Sequence, residues 1–209
     1  GGKTTIASAA ADGSGPAETL AAVEGGPSLF SWSHDGKLLL FVRSDAKGRD
    51  TWLLPLEGDR KPRRWLETPF EKTQPQLSPD GRWISYSSGF QRGSGEVFVQ
   101  PFAASAASSA SGGRWQVSVD GGGMSGWSRD GRELFYMSRN KMMSVAIEPG
   151  PAFKAGTPRL LFETPYAGRI SGFEVSPDGK RFLFIKTGDP ETAAGQQQLH
   201  FVVEWFEEV

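Results

Sequence analysis

The chain contains no cysteine and only two histidines, His34 and His200, among its 209 residues. Without cysteine there is no disulfide, no thiolate metal site and no cysteine nucleophile. Two histidines far apart in the sequence argue against a histidine-based metal site and against a Ser-His-Asp triad. The Gly-x-Ser-x-Gly elbow that carries a hydrolase serine is also missing. The sequence therefore predicts a non-enzymatic chain with no catalytic residues, no metal and no cofactor.

The chain also lacks an excess of either charge and any long apolar run. It has 23 basic and 24 acidic residues, a formal net charge of −1, which gives no electrostatic basis for binding nucleic acid. No apolar run approaches the roughly 20 residues that a membrane-spanning helix needs. The beginning of the sequence does not have the layout of a signal peptide. We expect no nucleic-acid partner and no direct membrane insertion, and we expect any anchor or export signal to lie outside this chain.

What the sequence does contain is the tetrad Ser-x-Asp-Gly, repeated four times in register. The copies are Ser33–Gly36, Ser78–Gly81, Ser128–Gly131 and Ser176–Gly179, and their serines are separated by 45, 50 and 48 residues. Each copy comes after an apolar residue and precedes Lys or Arg and then a short apolar run. A period of about 45 residues with this strand-like content is typical of the blades of a β-propeller.

The tetrads are predicted to be structural turns between the first and second strands of each blade. Glycine tolerates a positive φ, and a carboxylate or hydroxyl can accept hydrogen bonds from nearby backbone N–H groups. The turn residues singled out on this basis are Asp35, Gly36, Asp80, Gly81, Asp130, Gly131, Asp178 and Gly179.

Around each tetrad, up to four segments of four to eight residues are rich in β-branched and aromatic side chains and are bounded by turn formers. The predicted fold is all-β: a β-propeller of four-stranded antiparallel blades, with about four to five blades in this chain and six or more in the complete ring. The predicted boundaries are a partial blade at 1–24, blades at 25–69, 70–119 and 120–164, and an incomplete last blade at 165–209.

The two ends of the sequence carry incomplete blades. Segments Thr4–Ala9 and Glu18–Ala22 are predicted to be a third and a fourth strand without their inner partners, and the last repeat supplies three strands. Either the ring closes with strands from both ends, or the chain is the C-terminal part of a longer propeller. The surplus third strand favours the second interpretation, because open sheet edges are normally paired or covered.

Five stretches of the chain resemble the TolB-type, WD40-like propeller repeat, as found in the C-terminal propeller regions of bacterial Ser/Thr protein kinases and winged-helix regulators. The stretches are Ser31–Lys37, Gln76–Trp83, Glu96–Phe102, Gly113–Ser118 and Glu204–Glu208. The resemblance implies a sensing or protein-interaction module. The sequence itself does not contain the motifs of the kinase domain. It also implies an extracytoplasmic location behind a membrane anchor in preference to a cytoplasmic one.

Three further patterns have a functional and a structural interpretation, and we favour the structural one for each. Gly121–Gly126 matches the G-x-G-x-x-G string of dinucleotide sites, but a strand comes after it where such a site needs a helix. The four tetrad aspartates could hold a metal, but equivalent turns of a propeller lie well apart around the ring. The tryptophans beside the tetrads could stack on a sugar or base, but core packing is their commoner role.

A binding surface on such a scaffold is expected in its loops, on the face that carries the second-to-third strand turns and the linkers between blades. The ligand-binding residues predicted there are Arg43, Arg49, Gln74, Gln91, Arg92, Arg139 and Arg169.

The preferred hypothesis is a non-catalytic binding or sensory propeller for a protein, peptide or small ligand, in the setting of a signalling kinase. Two alternatives stay open: an accessory propeller of a hydrolase or peptidase, and a structural module that self-associates through its incomplete blades.

Overall fold

The structure, a computed structural model, describes residues 2–45, 48–65, 72–89, 95–102, 113–166, 170–186 and 198–202. All helix or strand structure in these ranges is β-strand. The strands are β1 Lys3–Ser8, β2 Glu18–Glu24, β3 Ser28–Trp32, β4 Leu38–Asp45, β5 Gly48–Pro55, β6 Arg63–Arg64, β7 Thr73–Leu77, β8 Trp83–Ser88, β9 Glu96–Pro101, β10 Trp115–Gln116, β11 Gly123–Trp127, β12 Glu133–Ser138, β13 Lys141–Ala146, β14 Arg159–Glu163, β15 Ile170–Val175, β16 Phe182–Lys186 and β17 Gln198–Val202.

These strands form five antiparallel sheets, each a simple meander in chain order. Sheet 1 contains β1 and β2, sheet 2 contains β3–β6, sheet 3 contains β7–β10, sheet 4 contains β11–β14 and sheet 5 contains β15–β17. Up-and-down sheets of four strands that succeed one another along the chain are the blades of a propeller. The structure thus confirms the all-β propeller class predicted from the tetrad repeat.

The hydrophobic core is divided into four clusters, one between each pair of successive sheets. In β4, Leu39 and Phe41 pack toward sheet 1, whereas Leu40 packs toward sheet 3. Successive side chains of a strand point to opposite faces. A blade that is covered on both faces therefore needs an unbroken apolar run, which is why Leu38–Val42 shows no polar alternation.

All four tetrads adopt the same turn. In the first, the Ser33 hydroxyl donates to Asp35 Oδ1 at 2.6 Å, and the same oxygen accepts the Lys37 N–H at 3.0 Å. The Leu38 N–H donates to Ser33 Oγ at 2.9 Å, and Gly36 has φ +72°. The hydrogen bond from the serine hydroxyl, then that from the backbone, holds the pKa of Asp35 below its ordinary value.

The other three turns repeat this geometry, with glycine φ values of +69°, +71° and +72°. Hydrogen bonds from their serines and backbones also lower the pKa of Asp130 and Asp178. Burial alone would raise the pKa of Asp80, but its bonds from Ser78 and Arg82 outweigh burial and lower it. The aspartates are thus kept ionised as acceptors inside their own turns.

The outer strand β10 is shorter than the sequence indicates. β10 ends at Gln116, although its apolar pattern continues to Val119. The ladder is interrupted because the Val97 N–H donates to the hydroxyl of Ser118, at 2.8 Å, instead of to a backbone carbonyl. The Ala-rich stretch Ala103–Ala110, which the sequence predicts to be an inserted loop between the third and fourth strands of its blade, lies outside the described residues.

Candidate functional site

The first strands of sheets 2 to 5 contact one another in sequence, β3 with β7, β7 with β11 and β11 with β15. They surround a cavity of about 270 Å³, called here the axial cavity. Its apolar lining consists of Leu29, Phe30, Met124, Phe173, Leu183 and Ile185, and its polar lining of Gln74, Gln76, Ser125, Ser171 and Glu174, with Gly172 between them. An apolar wall with a few convergent polar groups is the usual composition of a ligand site.

Hydrogen bonds between blades hold the wall of the axial cavity in place. Gln74 Oε1 accepts the Met124 N–H at 3.0 Å and the Ser87 hydroxyl at 3.1 Å. Gln76 Nε2 donates to the Phe30 carbonyl at 3.3 Å. Gln74 and Met124 both have left-handed φ, +54° and +50°, which costs free energy in a residue with a side chain. The strained pair lies at the cavity wall, where it pre-organises the surface that a ligand would meet.

Glu174 is the only charged residue in the described lining of this cavity. It is accessible to solvent along β15, yet the surrounding protein desolvates its carboxylate and thereby raises its pKa. A carboxylate in apolar surroundings gains most from a positively charged partner.

A second cavity, of about 580 Å³, lies on the loop face between sheets 3 and 4 and is called here the loop-face cavity. Its charged lining residues are Glu96, Asp120, Arg139 and Lys141. Glu96 is held by the Ser118 hydroxyl and by the Gly121 N–H at 3.2 Å, and Lys141 lies 3.7 Å from Glu163. The mixed charges give this cavity no preference for a single sign of ligand.

The four predicted binding residues that the structure describes do not lie together in one site. Gln74 lies in the wall of the axial cavity, and Arg139, in the turn between β12 and β13, lines the loop-face cavity. The Arg43 guanidinium stacks 4.7 Å from the ring of Trp52 and lies 3.8 Å from Glu24, so it holds sheets 1 and 2 together. Arg49 lies in β5 opposite Ser44.

The remaining predicted binding residues, Gln91, Arg92 and Arg169, lie outside the described residues.

Sequence reasoning missed four polar residues of the axial cavity: Gln76, Ser125, Ser171 and Glu174. A signal was present for two of them, because Gln76 and Glu174 each stand two positions before a tetrad serine. The equivalent residues in the other two repeats are Ser31 and Gly126. These positions lie in first strands and not in loops, so a surface predicted from loop residues does not include them.

The alternative patterns have structural explanations. β11 begins at Gly123, inside the G-x-G-x-x-G string, so a strand occupies the place of the required helix. Trp65 and Trp83 are buried in the core as expected, whereas Trp32 is 57% exposed, contrary to the expectation for it.

The tetrad aspartates are closer neighbours than expected in one case. Asp130 and Asp178 line the same cavity of about 590 Å³ on the opposite face, although each carboxylate is engaged in its own turn. In the described ranges, no three carboxylate or imidazole side chains come together as a metal site would require. The same ranges contain no helix of the length and hydropathy that crossing a bilayer would take.

No protein-family model matches this chain, and no curated protein matches it. Three solved structures are similar. A protein assigned as TolB from Agrobacterium tumefaciens is 22% identical with a TM-score of 0.63, over 90% of this chain and 62% of that one. A chain of a nidogen–laminin complex is 9% identical with a TM-score of 0.55, and the match covers 81% of this chain and 60% of that one.

The third is the periplasmic gluconolactonase of Pseudomonas aeruginosa, which is 19% identical with a TM-score of 0.52. The match covers 90% of this chain and 60% of that one. The chain thus spans less than two thirds of the length of each of these proteins. At such identities a structural likeness establishes the architecture and nothing finer. The chain has the β-propeller fold, built from the kind of four-stranded blade that it shares with TolB.

Proposed function

We propose that this chain is a binding module that accepts a segment of a partner protein in its axial cavity. The observation that carries the proposal is the convergence of four first strands on one cavity with apolar walls, two amides and one carboxylate. A cavity of about 270 Å³ has room for one or two side chains of a polypeptide, so the partner contributes a protruding residue and its neighbours.

The chemistry of the axial cavity favours binding over hydrolysis. Among the described residues its titratable lining is a single carboxylate, whereas acid–base catalysis of hydrolysis uses a pair of groups within reach of one bond. The likeness to a gluconolactonase supports the hydrolase alternative only through the shared fold. The likeness to a chain from a nidogen–laminin complex, an assembly of two proteins, supports a protein partner.

The cellular setting is part of the same proposal. Similarity to TolB and to a periplasmic gluconolactonase supports an extracytoplasmic location. The repeat sequence resembles that of kinase-linked propellers, which supports a sensory role in which the partner or ligand outside the membrane is reported to a signalling domain.

The proposal predicts that filling the axial cavity abolishes binding. Gly172 lines the cavity, its φ is not left-handed, and an added Cβ would meet only Ile185 Cδ1, at 3.9 Å. Gly172→Leu should therefore fold and fill part of the space. Peptides selected from a displayed random library on the wild-type protein should lose at least about tenfold in affinity for this variant, measured by titration calorimetry.

Gly150→Leu is the matched control, because Gly150 also has a φ outside the left-handed region and its added Cβ would lie 3.9 Å from the Ala152 carbonyl. Selected peptides should bind this variant as they bind the wild type. If they bound Gly172→Leu equally well, the axial cavity would not be the binding site.

Self-association is a second candidate function, and the exposure of Trp32 favours it. In sheet 4, the equivalent residue Trp127 donates its indole N–H to the Gln76 carbonyl of the preceding first strand, at 3.2 Å. Trp32 has no such neighbour among the described residues, because sheet 1 contains only β1 and β2. Among the described strands only β2 pairs with β1, so the other edge of β1 and the exposed Trp32 are each suited to contact with a second copy.

Self-association predicts a molar mass that rises with concentration in light scattering, and a lower mass for Trp32→Ser at the same concentration. A mass that stays that of one chain at every concentration would exclude it.

A further inference from the structure

We propose that Glu174 binds a cationic group of the inserted polypeptide, a lysine side chain or an amino terminus, and so gives the axial cavity its specificity. This inference rests on the binding function proposed above and adds the chemical class of the ligand. It begins from an imbalance of charge: in the described lining, one carboxylate faces the cavity and no positive charge does.

The groups that face Glu174 come from every strand packed around the cavity, and none that the structure describes is cationic. β3 contributes Leu29 and Phe30, β7 contributes Gln74 and Gln76, and β11 contributes Met124 and Ser125. Across the ladder within its own sheet, Glu174 lies opposite Leu183, and Gly172 lies opposite Ile185. The described surroundings therefore supply hydrogen-bonding and apolar contacts but no cation, and leave Glu174 accessible to a positively charged group of a ligand.

Each of the two amides of the lining is engaged in the cavity wall through one of its polar atoms. Gln76 donates its side-chain N–H to the Phe30 carbonyl, and the Gln74 oxygen accepts two hydrogen bonds. Two aromatic rings, Phe30 and Phe173, also line the cavity. Aromatic faces attract ammonium groups in desolvated sites. The carboxylate and the rings together favour an organic cation attached to an apolar stem, as in lysine.

A bound metal ion fits this lining less well. Calcium takes six to eight oxygen ligands, commonly from several carboxylates. The described lining offers one carboxylate, and one of its two amide oxygens, that of Gln74, is engaged in the wall. An ammonium group needs fewer partners, since three hydrogen bonds satisfy it.

The proposal includes a direction of pH dependence. Burial raises the pKa of Glu174 in the free protein, and a bound cation would lower it again. The ligand therefore binds the ionised form, and its affinity increases as the pH rises through the pKa of Glu174 and then levels off. No other titratable group of the described cavity lining contributes to this titration.

The test uses two synthetic peptides that differ only in charge, acetyl-Leu-Lys-Phe-amide and the same peptide with norleucine in place of lysine. Binding to the intact chain is measured by chemical-shift titration. We expect the lysine peptide to bind about tenfold more tightly than the norleucine peptide, the size of effect that a hydrogen-bonded charge contributes. Glu174→Gln should remove this difference and its pH dependence. Glu57→Gln, at an exposed glutamate that pairs with Lys37 at 3.4 Å, should preserve both.

The outcomes separate this inference from the proposed function. If both peptides bind equally and Glu174→Gln changes neither, the cavity binds polypeptide but Glu174 does not select a cation. If neither peptide binds the wild type, the binding function of the axial cavity is contradicted as well. A lysine preference that survives in Glu174→Gln would locate the cation elsewhere and overturn the inference alone.

Discussion

Lys72→Met is expected to lower the free energy of unfolding by about 2 kcal/mol, because it removes one of the two described cationic partners of a buried carboxylate and leaves Arg64 as the other. Lys72 Nζ lies 3.6 Å from Asp50 Oδ1, and the side chains are 3% and 12% exposed. Burial lowers the pKa of Lys72 and raises that of Asp50, and Arg64 Nε lies 3.6 Å from the other carboxylate oxygen of Asp50. Urea unfolding at pH 7 measures the loss.

The variant should recover part of its stability at lower pH. Asp50 already has a raised folded-state pKa, and the loss of Lys72 raises it further. A carboxyl whose folded pKa is raised destabilises the fold above that pKa, and the penalty shrinks as the pH falls through it. The difference in free energy of unfolding between variant and wild type should therefore narrow as the pH is lowered from about 7 through the raised pKa of Asp50.

Two controls test the explanation. Asp50→Leu combined with Lys72→Met should restore part of the stability, because apolar residues replace the buried pair, whereas Arg64 loses its carboxylate 3.6 Å away. Lys154→Met removes an exposed amine 3.3 Å from Glu148 and should change stability by less than about 0.5 kcal/mol. If Lys72→Met and Lys154→Met lowered the free energy of unfolding equally, the buried pair would contribute no more to stability than the exposed one.

Gly122→Ala is expected to cost about 2 to 3 kcal/mol by overpacking the interface between sheets 3 and 4. An added Cβ would lie 2.8 Å from Ser118 Cβ and 2.9 Å from Tyr136 Cδ2. The ring of Tyr136 is completely buried, and Ser118 holds both Glu96 and the Val97 N–H. Neither neighbour can move aside without breaking contacts, so the strain falls on the linker. Thermal and urea unfolding measure it.

Gly150→Ala provides the comparison, since its added Cβ would meet only the Ala152 carbonyl at 3.9 Å. That change should be neutral or stabilise the protein by less than about 1 kcal/mol, through a smaller entropy of the unfolded chain. A Gly122→Ala protein as stable as the wild type would mean that the linker relaxes freely, and the packing explanation for this glycine would be wrong.

The result at Gly122 bears on how the glycine-rich string Gly121–Gly126 is interpreted. The string matches a dinucleotide site and also suits a linker between blades. The sequence distinguishes the two only by the type of element that comes directly after it, a helix for the first and a strand for the second. In the structure the Gly122 N–H donates to the Gly95 carbonyl at 2.6 Å, and its bare Cα faces a buried ring. The glycine is thus explained by close packing between two blades, without any phosphate.

The four tetrads show how much local chemistry can predict. Serine, aspartate and glycine in the order Ser-x-Asp-Gly satisfy one another within a turn of a few residues, so the conformation depends little on the rest of the chain. For the same reason the β-strand character, the number of strands in each complete sheet and the all-β class could be predicted from spacing and apolar runs. The outer strands were less well defined, because side chains such as Ser118 compete with the backbone for hydrogen bonds.

The candidate site is the opposite case, since it depends on residues that are distant in sequence. Gln74 and Glu174 are 100 positions apart, and only the radial order of the sheets brings them to one cavity. Of the predicted arginines that the structure describes, Arg43 holds two sheets together and Arg139 lines a different cavity. Charge and loop position, the properties visible in the sequence, do not determine which way a side chain points.

From its sequence alone, this protein is determined to be an all-β repeat of turn-linked meanders, because turns and strand patterns are short-range properties. Only the packing of sheet on sheet decided which polar residues face the common axis, which glycine must lack a side chain next to a ring, and which lysine is buried beside Asp50. Those are contacts between separate repeats, and their energies depend on distances that no single repeat contains.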